Sequence, residues 1–179
     1  RALGLPGGLD STRALLFGLR AGEVRGRARA RIHALSRPGC GTGEGTGGNA
    51  AGLGCACGGA FEEIDIREGG TRHFQDINQP PDRQDVTFEN VQARYRTMLL
   101  MNRANQLRGL VVGTGDLSEL ALGWNTFGGD HLSHYDVNAG VPKTLVRYLV
   151  DWASGQPGFE QARDTLRDVL DTPISPELV

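Results

Sequence analysis

The chain has no run of about 18 apolar residues, the length a helix needs to cross a bilayer, and this excludes a membrane-spanning helix. It has no charge excess of either sign. Twenty-one acidic residues face 19 basic ones, for a net charge of −2, so the electrostatic footprint of a nucleic-acid or membrane-surface partner is missing. Aromatic residues make up 6% of the chain, and none interleaves with the arginines of "RGRARAR", residues 25–31, so that run lacks the stacking platform of a single-strand binder and reads as a solvated basic stretch. There are only three cysteines, Cys40, Cys55 and Cys57. Their odd number and irregular spacing exclude a disulfide framework and predict a reducing, cytoplasmic setting. Cys55-x-Cys57 has no second pair to complete a zinc site. No secretory leader is visible, but the first residue is an arginine rather than a methionine, so that absence excludes nothing.

Glycine is abundant instead: 27 of 179 residues, concentrated in "PGCGTGEGTGGNAAGLGCACGGA", residues 38–60. That is about twice the ~7% of ordinary proteins. Around this segment the pattern alternates. Residues 11–21 have helical spacing, with Asp10 or Ser11 as candidate N-cap. Ile32 to Ser36 and "AFEEIDI", residues 60–66, read as strands. Residues 67–84, with Gly69-Gly70 and Pro80-Pro81, read as a loop. Residues 86–106 form the longest helical pattern, with Val91, Tyr95, Met98 and Leu99 as its expected buried stripe. "GLVVGTG" reads as a buried parallel strand ending in a glycine turn. "DLSELALGW", "VPKTLVRYLVDWA" (Pro142 in its opening turn) and "GFEQARDTLRDVLDT" read as helices. Strands alternating with helices predict a single α/β domain, Rossmann-like, with a parallel sheet and helices on both faces. In such sheets ligands bind beyond the carboxyl ends of the strands. The two glycine turns, Gly7-Gly8 and Gly113-Thr114-Gly115, both fall at such ends.

The first turn sits in "LGLPGGLDST", residues 3–12. It is neither a Walker loop nor a dinucleotide fingerprint. Its Gly-Gly-x-Asp-Ser at a helix start would offer the N–H groups of Leu9, Asp10 and Ser11, with the helix dipole, to a phosphate group. Asp10 would repel a bare phosphate but could hold a bridging magnesium ion. On these residues alone, an ordinary capped turn stands equally open. His131 and His134 in "GDHLSHYD" have helical spacing but no third ligand beside them, which disfavours zinc.

The stretch "VVGTGDLSELALGWNTFGGDHLSHYDVNAGVPKTLVRYLVDW", residues 111–152, closely resembles the synthetase domain of glutamine-dependent NAD synthetases, which belong to the ATP pyrophosphatases. The likeness extends to "DVTFENVQARYRT", "FEEIDI", "RPGCGTGEGTGGNA", "LPGGLDST" and "DTPISPEL", and so to nearly the whole chain. The resemblance implies an adenine nucleotide alpha-hydrolase-like fold and ATP-dependent amidation of deamido-NAD, with magnesium. ATP adenylates the nicotinate carboxylate and releases pyrophosphate; ammonia then gives NAD and AMP. It also implies a site. Gly7, Gly8, Leu9, Asp10 and Ser11 match the pyrophosphate loop, and Thr114, Lys143 and Ser175 match further ATP contacts. Asn90, Glu119, Trp124, Asn125, Thr126, Phe127, Gly128 and Asp130 match deamido-NAD contacts, and Asp10 and Glu119 stand at the metal. Glu119 also has a plain reading, as the third residue of a capping box begun by Asp116. Trp124 reads equally as core, Asn90 as a solvated helical residue, and Arg96 as a partner of either the dinucleotide or a helix-face acid. In the first turn of a helix Lys143 opposes the dipole, which favours an anionic partner.

Several features depart from the family. Pro6 stands where the family has serine, removing a hydroxyl and an N–H worth about 1.5–3 kcal/mol in a charged hydrogen bond. "FGGD" is one residue shorter than the usual loop, which unsettles the position of Asp130. The helix expected over residues 45–57 carries five glycines, costing about 5 kcal/mol against a net stability of about 5–15, and is expected to be frayed or to leave the domain weakly stable. No glutaminase domain, the family's ammonia source, is recognisable, and the C-terminal region is short, so the chain reads as a partial synthetase domain, in full length a homo-oligomer. Two other readings remain open on the residues: another ATP pyrophosphatase amidotransferase, and a nucleotide-binding remnant without catalysis.

Overall fold

In a computed structural model, residues 2–4, 7–40, 44–80 and 82–172 are described. Among the described residues five strands form one sheet: β1 (Ala2–Gly4), β2 (His33–Ser36), β3 (Ala60–Glu63), β4 (Val111–Gly113) and β5 (Tyr135–Asp136). All pairings are parallel and the order is β3-β2-β1-β4-β5. The order therefore reverses between β1 and β4, and ligand crevices form outside the strand ends at such a reversal.

Helices cover both faces. On one side lie α1 (Leu9–Val24), α2 (Glu44–Ala56), α6 (Lys143–Ser154) and α7 (Arg163–Asp171), closing over Ala34 and Val112 of the sheet. On the other, Leu100 and Ala104 of α4 (Val86–Gln106) pack on Leu35 and Val111, and α3 (Arg67–Asp76) packs on α4. Neighbouring residues of β2 and β4 thus serve opposite cores, as the two-residue period of a strand requires. The expected α/β sandwich is the observed one. The short α5 (Leu117–Leu122) lies between β4 and β5. No helix of the described residues is long and apolar enough to cross a membrane.

Three local expectations are corrected. Residues 67–76 are helix α3, not loop. Gly69 is a close-approach position, where a Cβ would lie 2.0 Å from the Tyr95 hydroxyl, and packing of α3 on α4 offsets the helix propensity that Gly69 and Gly70 forfeit. The buried stripe of α4 runs through Val91, Gln92, Ala93, Thr97, Leu100 and Ala104, whereas Met98 is exposed and Tyr95 and Leu99 are half-buried. The second strand region ends at Glu63, and Ile66 is already the N-cap of α3.

The glycine-rich segment is a continuous helix from Glu44 to Ala56. Two of its glycines are close-approach positions. A Cβ at Gly54 would fall 2.4 Å from the Phe61 ring, and one at Gly52 would fall 3.1 Å from Thr165. Tertiary packing on β3 and α7 stands in for the propensity the glycines forfeit. The basic run is only partly solvated: Arg29 binds Glu23 and the carbonyls of Cys57 and Gly158, and covers the Phe159 ring. All three cysteines are free thiols, and burial pushes the Cys57 pKa up to about 11.

Candidate functional site

The sheet brings the two glycine turns side by side, because β1 pairs directly with β4. Beyond β1, Gly7 takes a positive φ of 92° and Gly8 caps α1 with no side chain of its own. Helix α1 begins at Leu9, so Asp10 and Ser11 lie inside its first turn and neither is the N-cap. The Ser11 and Thr12 hydroxyls both donate to the Gly8 carbonyl, at 2.9 and 2.8 Å. The first in-helix acceptor is also Gly8 O, which takes the Thr12 N–H. The amides of Leu9, Asp10 and Ser11 precede it at the positive end of the helix dipole, where a helix has no carbonyl of its own to offer them. A Cβ at Gly8 would meet nothing within 4 Å, so the approach to this turn is open.

Beyond β4, Asp116 caps α5 in a full capping box: its Oδ1 accepts the Glu119 N–H, and Glu119 Oε2 accepts the Asp116 N–H. The cap reading of these residues is correct. It also fixes both carboxylates in space. On the third side, the Lys143 N–H donates to Ser118 Oγ at 3.1 Å, which seats the first residue of α6 against α5.

The side chains of these three elements meet. Lys143 Nζ lies 2.5 Å from Asp10 Oδ2, 2.8 Å from Asp116 Oδ2 and 2.8 Å from Glu119 Oε1. The three carboxylates place one oxygen each within 4.8 Å of one another. Asp116 is fully buried, and Asp10 Oδ1 is buried with no hydrogen-bond partner among the described residues. Burial, reinforced by the charges of Glu119 and Asp116 and opposed by Lys143, pushes the Asp10 pKa up to about 6. Burial would raise Asp116 too, but the hydrogen bonds from Lys143 and from the Glu119 N–H outweigh it and hold that group below the usual carboxylate value. Lys143 is pushed well above its ordinary value: burial acts against its charge, but the bonds to Asp10, Asp116 and Glu119 prevail. The cluster is an all-oxygen donor set with one ammonium at its centre.

Beside it runs the segment from Trp124 to Asp130. The Trp124 N–H donates to Glu119 O, which ties the segment to the end of α5. Asp130 Oδ1 accepts the Thr126 N–H at 2.8 Å, so despite the shortened loop this aspartate closes a local turn. The His131 ring bonds the Thr126 carbonyl, and His134 Nδ1 accepts the Val111 N–H. Arg94 donates to Phe127 O, and Thr97 to Gly129 O. Asn90 lies one turn before Arg94 on the same face of α4. Trp124 and Phe127 are not core: they are 68% and 83% exposed. Arg96 donates its Nε to the Arg37 carbonyl, a backbone contact that was not among the two partners expected. Pro6 and Ser175 lie outside the described residues.

Three residues of the site have no such role in the sequence pattern. The spacing marks Asp116 only as a cap. Nothing local marks Arg13 or Asn138, although Asn138 stands in the "VNAGVPKT" stretch that helps to distinguish the family. Asn138 is fully buried; its Nδ2 donates to Asp10 O at 3.1 Å and to Thr114 O at 2.9 Å, and its Oδ1 accepts from Arg13.

Comparison with known proteins agrees with the resemblance. A family model described as NAD synthase matches residues 2–157. The chain is 51% identical over 183 residues to a glutamine-dependent NAD(+) synthetase of Mycobacterium leprae (strain TN), covering 99% of this chain and 27% of that protein. It is 30% identical to the corresponding Rhodobacter capsulatus synthetase, with 98% and 32% covered. Among solved structures, a glutamine-dependent NAD+ synthetase from Acinetobacter baumannii in complex with ADP superposes with a TM-score of 0.79 at 29% identity, over 97% of this chain and 32% of that one. An NMN synthetase from Francisella tularensis shares the fold, with a TM-score of 0.79 at 23% identity over 97% of this chain and 65% of that one. The chain spans about a quarter of the length of its Mycobacterium leprae relative.

Proposed function

The chain belongs to the NAD synthase family, and on that premise we propose that it is the synthetase portion of a longer enzyme that amidates deamido-NAD at the expense of ATP. The observation that carries this reading is the convergence of Asp10, Asp116, Glu119 and Lys143 from three elements at the β1/β4 strand ends.

The chemistry asks for such a place. A carboxylate is a poor acyl donor. Its oxygen attacks the α-phosphorus of ATP, the α–β phosphoanhydride bond breaks, and pyrophosphate leaves. Ammonia then attacks the acyl carbon, the bond to AMP breaks, and one proton is released with the amide formed. The protein's share is to neutralise a crowded polyphosphate, align two nucleotides and keep water from the mixed anhydride. In this reading the amides of Leu9 to Ser11, with Gly7 and Gly8 keeping the approach clear, take the β- and γ-phosphates. Thr114 borders the same crevice, and Ser175, outside the described residues, is assigned as a further ATP hydroxyl contact on the family resemblance alone. Lys143 supplies a positive charge beside the leaving pyrophosphate.

The donor set fits magnesium: carboxylate oxygens only, one of them buried and unpartnered. Asp10 and Glu119, with Asp116 behind them, are the residues that would hold it, and when bound it would offset the negative charge of the polyphosphate. The rim from Trp124 to Gly128, with Asn90 and Asp130, faces the deamido-NAD dinucleotide. The exposure of Trp124 and Phe127 supports this, because large aromatic surface left in water gains most from stacking on a base. A glutaminase domain elsewhere in the full-length protein supplies the ammonia, and the full-length protein is a homo-oligomer.

The test is direct. The purified chain, ATP, magnesium, deamido-NAD and ammonium chloride are mixed, and NAD and pyrophosphate are followed together. Equimolar production of both, lost in Asp10→Ala and Glu119→Ala, is the expected result. ATP binding with neither product refutes the assignment of chemistry to this chain.

A further inference from the structure

We propose that Asn138 is the positioning residue that holds the two phosphate-side turns at their working separation, and that Arg13 orients it. Asn138 follows β5 and is wholly buried in the angle between the turns. An amide side chain there has two N–H groups to place. One goes to the carbonyl of Asp10 in the first turn of α1, the other to the carbonyl of Thr114 just past β4. Those residues are 104 positions apart in sequence, and a single NH2 group staples them. The orientation of the amide is not arbitrary. Its Oδ1 accepts from the Arg13 guanidinium, which also donates to the Val137 carbonyl, so a flipped amide would set its NH2 against a cation and its oxygen against two carbonyls.

The consequence reaches the carboxylates. Asp10 stands on one stapled turn; Asp116 and Glu119 stand on the other, two and five residues beyond Thr114. The cluster stays within 4.8 Å only while the turns hold their spacing. A salt bridge alone would not fix it, because the Lys143 stem is flexible and can follow a carboxylate that drifts. A planar amide with three directed bonds cannot. Asn138 touches none of the phosphates or the cation in this scheme; it acts through the backbone of residues that do. The inference rests on the cation site assigned above, and the experiment separates the two.

Manganese binding to the chain, without nucleotide, is measured by calorimetry for the wild type, Asn138→Ala, the milder Asn138→Ser, and Val169→Ala, a buried core variant on α7, a helix that carries none of the site residues. In parallel the shift in Tm caused by Lys143→Met is measured in the wild-type and Asn138→Ser backgrounds. The expected result is manganese affinity weakened about tenfold or more in both Asn138 variants and unchanged in Val169→Ala. The Lys143→Met shift should fall to about half or less in the Asn138→Ser background, since a loosened cluster has less to lose. Affinity in Asn138→Ser equal to wild type overturns the proposal. If the wild type binds no manganese, the cation reading fails and the Tm comparison decides alone: a reduced shift supports the staple, and an additive one overturns it.

Discussion

Replacing Lys143 by methionine keeps most of the stem and removes the charge that three carboxylates share. Nζ is within 2.5–2.8 Å of all three, Asp116 is fully buried, and Asp10 and Glu119 side chains are only 21% and 27% exposed. Removing one partner of a buried ion pair costs about 3–5 kcal/mol. Part is recovered, because Asp10, already raised to about 6 with the lysine present, climbs further without it and takes up a proton. That leaves about 3 kcal/mol at pH 8. For a domain of this size each kcal/mol moves Tm by about 2–4 °C, so the variant should melt about 6–12 °C lower. At pH 5 Asp10 is protonated in both proteins, the cluster carries one negative charge fewer, and the penalty should be about half. Magnesium at ten times its dissociation constant should return about 1.4 kcal/mol to the variant. Calorimetric melts of both proteins at pH 5 and pH 8, with and without magnesium, read all of this. A loss under 2 °C at pH 8, or the same loss at both pH values, would refute the picture of a lysine neutralising a buried acid cluster.

Other expectations follow from the same geometry. Asp10 holds its proton more tightly in the folded chain than in the unfolded one, with a pKa of about 6 against 3.8, so its contribution to stability falls as pH rises through that window, by up to about 3 kcal/mol. Asp10→Asn should therefore melt higher than wild type at pH 7.5 and near it at pH 4.5, while losing manganese affinity; a lower Tm at pH 7.5 would show that ionised Asp10 is net stabilising. Gly54→Ala should lose about 1–3 kcal/mol, because its Cβ lands 2.4 Å from the Phe61 ring, whereas Gly48→Ala, with open space around it, should gain about 0.5–1 kcal/mol from helix propensity. Urea titration gives both signs, and a gain at Gly54 would contradict the close-packing account. Trp124→Ala and Phe127→Ala should leave Tm within about 1 °C but weaken deamido-NAD binding about tenfold or more, since both rings are in water in the free chain; a large fall in Tm would make them structural instead.

The glycine-rich helix shows where residue-by-residue propensity fails. Five glycines argue for a frayed segment only if each is charged the same ~1 kcal/mol. Gly54 is set against Phe61, where a Cβ would collide, and Gly52 against Thr165, where a Cβ would be crowded. Gly69 hides helix α3 within 67–76 for a related reason, with Tyr95 as the close neighbour, while 77–80 and 82–84 are irregular as expected. The α4 stripe was misassigned because Met98 is apolar enough to be taken for core and Thr97 polar enough to be passed over, although Thr97 is buried with its hydroxyl on Gly129 O. β5 is two residues long, too short to leave a period of its own.

The sequence by itself determined the alternation of strands and helices, the two glycine turns at strand ends, the capping box of Asp116 and Glu119, and the family, because each is written in residues close together in the chain. It did not determine that Lys143 bridges three acids, that Asp116 is as much a charge in the site as a cap, or that Asn138 joins the turns. Those facts depend on β1 lying next to β4 and on α6 starting against α5. Such adjacency is a property of the packed sheet. An asparagine or a lysine looks the same in sequence whether solvent or three carboxylates surround it, and only burial and distance in the folded chain tell the two apart.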